Sequence, residues 1–261
     1  MKERKKSQES ERHLETLMKG LEILDCLQGS PAMTITEIAN ELGIYKSRVM
    51  RLCGTLEHMG YVMFDERERV YRLGPRIMSL ARVYESSNPL VPLLRPAMES
   101  LFEALGKTVS FAILHNKGQI CAYRVSEEQN FKEPSIYQER TLHHGASGRV
   151  LLAFAPEHFR ERFFAGDKSY PALTPRTITS PQKLWEEILK TQRTGYAITS
   201  DERVMGSIGI AAPVFQFSGV LVGSLSVSGK KDDFPEAFVR RALELLLEET
   251  SALSTKLGYR K

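Results

Sequence analysis

The stretch "TITEIANELGIYKSRVMRLCGTLEHMG", residues 34–60, constrains the fold more tightly than any other part of the chain. Thr34 followed three residues later by Glu37 is the signature of a capping box, in which hydroxyl and carboxylate each satisfy a backbone amide at a helix start. Ile35, Ile38, Ala39 and Leu42 then recur at helical spacing. Gly43 supplies a residue that tolerates a left-handed backbone, and Ile44, Val49, Leu52, Leu56 and Met59 resume the helical pattern. Two helices joined by a turn of about three or four residues follow the helix-turn-helix plan. An earlier amphipathic helix is predicted from Leu14, Leu17, Met18, Leu21, Leu24 and Leu27, stopped by "QGSP".

The residues left on the outer side give this plan a chemistry. Tyr45, Lys46, Ser47, Arg48 and Arg51 lie at the start and outer face of the second helix, joined by Thr36 from the first. Guanidinium forks suit guanine edges or phosphates, while a hydroxyl and an ammonium suit phosphate oxygens. After Gly60, "YVMFDERERVYRLG" reads as two strands, Tyr61 to Phe64 and Val70 to Leu73, around a charged turn. This wing offers Arg67 and Arg69 to a duplex, but Asp65, Glu66 and Glu68 dilute the charge, and a solvated hairpin tip is the alternative. The whole chain has 36 Lys and Arg against 32 Asp and Glu, a net +4, so attraction to nucleic acid has to come from local clustering.

Several classes are disfavoured. No apolar run is long enough to span a bilayer, and the charged start "MKERKKSQESER" has no apolar signal-peptide core, so a cytoplasmic protein without membrane contact is expected. Cys26, Cys53 and Cys121 are odd in number and far apart, which suits buried reduced thiols rather than disulfides or a zinc site. No metal or other cofactor is expected.

Residues 75–87 read as a linker helix that opens on Pro75 and stops at "SSNP". Beyond it "PAMESLFEALG" is helical, whereas "TVSFAILHN" and "QICAYRV" form a hairpin about "NKG". Helices follow from Ser147, across "PEHFRERFF" and across "SPQKLWEEILKTQRTG", then the strands "GYAITS", "SIGIAAPVF" and "GVLVGSLSVSG", and a closing helix from about Pro235 to Leu257. Hairpins with helices grouped around them indicate an α+β domain with a mainly antiparallel sheet.

Within that domain, "HHGASGRVLL" places Gly145, Ala146 and Ser147 at a helix start, where the first amides have no acceptor inside the helix. Small side chains let a carboxylate approach those donors at the positive end of the helix dipole. A plain helix cap is the structural alternative. Nucleophilic catalysis by Ser147 is disfavoured because "GASG" lacks the G-x-S-x-G spacing of a nucleophile elbow, so no catalytic residue is assigned. On a strand, Ser226 and Ser228 point to the same face and can converge on one ligand, with a polar outer face as the alternative.

"TITEIANELGIYKSRVMRLCGTLEHMGYV" with the later "YRLG" resembles the winged helix of the IclR family of bacterial transcription regulators. "LHHGASGRVLLAFAP", "GYAITSDERVMGSIGIAAPVF" and "GVLVGSLSVSG" resemble that family's effector domain, so the likeness runs through both halves. It implies an α+β protein: a winged helix-turn-helix DNA-binding domain over 1–74, with 1–11 disordered; a linker helix over 75–87; and a GAF-like effector-binding and oligomerisation domain over 88–261. It further implies a pocket for a small carboxylate built from Gly145, the amides of Ala146 and Ser147, Asp201, Gly209, Ser226 and Ser228. Operator DNA, a small-molecule effector and a homodimer or dimer of dimers are the implied partners. Four departures matter: Arg48 stands where Thr is frequent, Gly145 where Thr or Ser is common, Arg149 where Lys is usual, and Thr199 where the first Asp of the acidic segment is expected. Operator and effector identity are therefore not carried over. An acyl- or ester-processing enzyme using Ser147, and a sensor whose winged helix binds protein, are the alternative classes.

Overall fold

A computed structural model describes residues 14–87, 90–126, 139–165 and 169–260; the expected disorder over 1–11 lies outside them. The chain divides into two compact units, Met1–Pro89 and Leu90–Lys261.

The first unit contains α1 (Glu15–Gly29), α2 (Ile35–Leu42), α3 (Lys46–His58), β1 (Val62–Asp65), β2 (Val70–Leu73) and α4 (Arg76–Ser87). Its core gathers the inward positions of each amphipathic element, with Ile23 and Leu27 of α1, Ile38 and Ala39 of α2, Val49 and Cys53 of α3, and Val62 and Tyr71 of the hairpin. The capping box is formed: Thr34 Oγ1 accepts from the Glu37 amide at 3.2 Å, and the Glu37 carboxylate accepts from the Thr34 amide at 2.7 Å. Gly43 takes the left-handed conformation at φ 62°, and its amide closes α2 onto Ala39 and Asn40 carbonyls. The recognition-type helix begins at Lys46, so Ile44 belongs to the turn and Tyr45 is the N-cap. The hairpin is antiparallel, with Val62 opposite Leu73, and Asp65 Oδ1 accepts the amides of Arg67 and Glu68 to fold its tip.

In the second unit, α5 (Val91–Leu105) precedes the hairpin β3 (Thr108–His115) and β4 (Gly118–Val125); α6 (Ala146–Phe154), α7 (Glu157–Phe164) and α8 (Pro181–Thr194) precede β5 (Ala197–Ser200), β6 (Ser207–Phe215) and β7 (Leu221–Lys230); α9 (Glu236–Lys256) closes the chain. The strands form one five-stranded sheet in the order β4-β3-β7-β6-β5, antiparallel at every junction. Period-two alternation gives each face its own layer. Ile208, Ile210 and Ala212 of β6, with Leu225 and Val227 of β7, pack with Leu94, Met98 and Leu101 of α5 and Ala242, Leu246 and Leu253 of α9. On the opposite face, Ala211 of β6 packs with Ala146 and Val150 of α6, and Leu151 and Leu152 join Leu184 and Ile188 of α8. Small residues on that sheet face let α6 lie close to the strands, which brings its N-terminus over β6 and β7.

Cys26, Cys53 and Cys121 are free thiols, the last two buried; burial pushes the Cys53 thiol up to about 12. Among the described residues there is no cluster of metal-ligating side chains and no helix long and apolar enough to cross a membrane.

Candidate functional site

In the first unit, the N-terminal turn of α3 stands out from the small core. Val49 and Cys53 are fully buried, so the helix presents its other sides outward: Tyr45 is 86% exposed, and Lys46, Ser47 and Arg51 are exposed with it. Thr36 is exposed on α2. Arg48 is different, being half-buried with its Nη1 donating to Glu15 Oε1 of α1 at 3.0 Å. The departure from Thr at this position therefore inserts a cation that is already held by an acidic side chain. At the wing, Arg67 and Arg69 are exposed beside Glu66 and Glu68, and Arg72 of β2 is paired to Glu68 and lies 3.8 Å from Asp65. That pairing takes negative charge at the tip out of competition with Arg67 and Arg69.

In the second unit, one cavity gathers all seven sequence-predicted pocket residues: Gly145, Ala146, Ser147, Asp201, Gly209, Ser226 and Ser228. Gly145 is the N-cap of α6 at φ 77°, ψ 155°, a region closed to side-chain-bearing residues, which explains the first of the bare positions in "HHGASG". Gly148 explains the second in a different way: a Cβ there would stand 2.7 Å from both Gln119 Nε2 and the Leu142 carbonyl oxygen. The helix start is thus stripped of side chains partly for conformation and partly so that β4 can approach.

The acidic segment behind the cavity is firmly held. Glu202, 8% exposed, accepts from Arg149 Nη2 at 2.9 and 3.0 Å and from the Gly145 amide at 3.0 Å. One amide at the α6 start therefore already carries an internal carboxylate, while Ala146 and Ser147 follow it in the first helical turn. Asp201 also has both oxygens engaged, Oδ1 by the Gly206 amide at 2.6 Å and Oδ2 by Lys231 Nζ at 2.7 Å. The Lys231 hydrogen bond, with the Gly206 amide, holds its carboxyl below the usual range. Thr174 and Thr177 hydroxyls donate to the carbonyls of Asp201 and Glu202 at 2.5 and 2.6 Å, fixing the loop from beneath.

The serine pair is split in role. Leu225 and Val227 face the α5 and α9 layer, so Ser226 and Ser228 face the cavity side, against the alternative of a solvated outer face. Ser226 is buried and its hydroxyl donates to the Ser110 carbonyl at 3.2 Å, whereas Ser228 is half-buried opposite Gly209. His143 is engaged away from Ser147: its Nε2 bonds the Pro171 carbonyl at 2.9 Å and its ring stacks on Tyr170.

Several lining residues escape the sequence reading. Gln119 and Arg124 come from β4, Arg140 and His144 from the approach to α6, Arg203 from the acidic loop, Ser110 from β3 and Thr199 from β5. Gln119 was the findable one, a polar side chain in the buried run "GQICA". The arginines carry no such signal, because an exposed and a cavity-lining Arg look alike in sequence. Burial, then His143, Arg203 and Arg140, push the His144 imidazole down to about 3, so it is neutral near pH 7.

Comparison with known proteins follows the same division. The family model described as "IclR helix-turn-helix domain" matches residues 16–66, and that described as "Bacterial transcriptional regulator IclR C-terminal" matches residues 83–255. The HTH-type transcriptional regulator BhcR of Paracoccus denitrificans is 27% identical over 249 residues, covering 95% of this chain and 89% of its own. The crystal structure of the Thermotoga maritima IclR superposes with a TM-score of 0.77 at 26% identity, covering 95% of this chain and 100% of that one. An IclR homolog from Microbacterium hydrocarbonoxydans, crystallised with 4-hydroxybenzoate, shares the fold at a TM-score of 0.76 and 22% identity, covering 93% of this chain and 99% of that one.

Proposed function

Because the chain belongs to the IclR family of bacterial transcription regulators, with a helix-turn-helix DNA-binding domain and a C-terminal effector-binding domain, we propose how its own residues divide that work. It is a regulator rather than an enzyme. Tyr45, Lys46, Ser47 and Arg51 enter the major groove of operator DNA from the start of α3, Thr36 meets the backbone, and Arg67 and Arg69 meet phosphate from the wing. Arg48 joins them when duplex phosphate displaces Glu15. The observation that carries this reading is the exposure of a cationic and hydroxylic helix start, set by the turn at Gly43 against a helix capped by Thr34 and Glu37.

The DNA-binding domain spans 1–74, the linker helix 75–87 and the effector and oligomerisation domain 88–261. The effector is a small carboxylate received at the Ala146 and Ser147 amides beside Gly145, whose own amide holds Glu202, with Gly209, Ser226 and Ser228 closing the opposite wall and Asp201 shaping it. Its binding changes operator affinity through the linker helix. The protein acts in the cytoplasm as a homodimer or a dimer of dimers, since one reading head with so few cationic contacts binds duplex weakly alone.

Fluorescence anisotropy with the DNA flanking the protein's own coding region tests the assignment. Lys46→Ala with Arg51→Ala is expected to weaken binding by about 1–3 kcal/mol per base-edge contact, or to lower the salt slope by about 1 per lost phosphate contact. Unchanged affinity and salt dependence would remove α3 from the interface.

A further inference from the structure

Among the residues that line the effector cavity, Gln119 and His144 each carry a deeply buried polar atom, Oε1 and Nδ1, that no hydrogen bond within the described residues meets. Gln119 is 2% exposed and His144 6% exposed, and both line the cavity. Leaving such atoms without a partner forfeits their hydration with nothing in return, so a native site that holds them is built to have them met. Gln119 also has its orientation set. Its Nε2 donates to the Thr141 carbonyl at 3.1 Å, which leaves Oε1 as an acceptor and only an acceptor. Gly148 makes this placement possible, because any side chain there would strike the Gln119 amide at 2.7 Å.

A carboxylate cannot serve Gln119 Oε1, since acceptor would face acceptor. The missing group is a donor. At the same wall stand the donors suited to an anion: the first-turn amides of α6 and the guanidinium groups of Arg124, Arg140 and Arg203. The cavity volume is about 80 Å³, well above the roughly 10–15 Å³ that a single water needs.

We propose that the effector is a short hydroxy acid, its carboxylate on the Ala146 and Ser147 amides and its hydroxyl donating to Gln119 Oε1 beside His144. The assignment rests on the effector-site reading above and sharpens it from carboxylates in general to those bearing a hydroxyl. The hydroxyl donates to Gln119 Oε1 and accepts from the neutral His144 ring, so a plain carboxylic acid leaves both buried atoms unmet and a keto acid, whose carbonyl can only accept, leaves Gln119 Oε1 unmet. A site built to hydrogen-bond a hydroxyl discriminates strongly against analogues that lack it.

Isothermal titration of the full chain with two matched series tests this: lactate, propionate and pyruvate, then malate, succinate and oxaloacetate. In at least one series the hydroxy acid is expected to bind tenfold or more tighter than both of its counterparts. In Gln119→Met, checked for an unchanged circular dichroism spectrum, that ratio is expected to collapse while the plain acid keeps its affinity. Binding of the plain or keto acid within tenfold of the hydroxy acid, or tighter, in both series overturns the proposal without any variant, and leaves the carboxylate site standing. A ratio that survives in a folded Gln119→Met overturns it as well. Absence of binding by all six acids overturns the carboxylate reading and this refinement together.

Discussion

Single side chains in this protein are decided by neighbours that are distant in sequence, and His144 shows the consequence for pH. In the folded chain its imidazole is driven down to about 3, first by burial and then by His143, Arg203 and Arg140, while the unfolded value is near 6.5. The unfolded state therefore binds more protons below pH 6.5, and stability is lost as pH falls from that point toward 3. His143, also lowered by burial, works in the same direction. At pH 5 the His144 contribution amounts to about 2 kcal/mol. Thermal melts at pH 7 and pH 5 are expected to show a fall in Tm that His144→Asn reduces; an equal fall in the variant would assign the acid sensitivity elsewhere. The bare run at 145–148 was legible in the sequence as a helix start open to a ligand. The reason for Gly148 was not, because the Gln119 amide that crowds it arrives from a strand almost thirty residues earlier, a distance about which local pattern is silent.

Elements were the most legible level, and for a physical reason: capping, spacing and turn chemistry are local. Thr34, Glu37 and Gly43 announce α2 and its end before any packing is known, and the alternation in "SIGIAAPVF" separates the two faces of β6. Strand order was not legible, since the neighbours of β7 are β3 and β6, and nothing local in "GVLVGSLSVSG" names them. The same holds for Arg149, which as a sequence letter is a substitution for Lys and in the fold is a buried clasp on Glu202 across 53 positions. Removing one member of such a pair leaves an uncompensated buried charge, and Arg149→Met is expected to lower stability by about 3–5 kcal/mol. The double variant Arg149→Met with Glu202→Gln removes that orphaned charge and is expected to recover part of the loss. Urea denaturation followed by circular dichroism measures both; equal stabilities for wild type and single variant would show the clasp to be energetically idle.

At the scale of the whole molecule, α1 carries a feature that a solitary chain does not explain. Its buried side, Gly20, Ile23 and Leu27, builds the first unit's core, yet Leu14, Leu17, Met18 and Leu21 form a second apolar stripe that remains exposed. On α4, Met78, Leu80 and Val83 are exposed as well. Contiguous exposed apolar surface marks an interaction site, and a second copy of the chain is the occupant that the proposed homodimer requires. Leu17→Glu with Leu21→Glu is expected to shift the sedimenting species toward the mass of one 29.5 kDa chain and to weaken operator binding with it, through loss of the paired half-sites. A sedimentation profile indistinguishable from wild type would move the subunit contact off α1. The Glu202 carboxylate on the Gly145 amide has a different kind of consequence, one for anyone converting this protein into a biosensor. On the proposed reading of the cavity, positions 119, 144 and 203 are a recognition dial to reset for new metabolites, whereas 145, 148, 149 and 202 hold the α6 start together and are the chassis to leave unchanged.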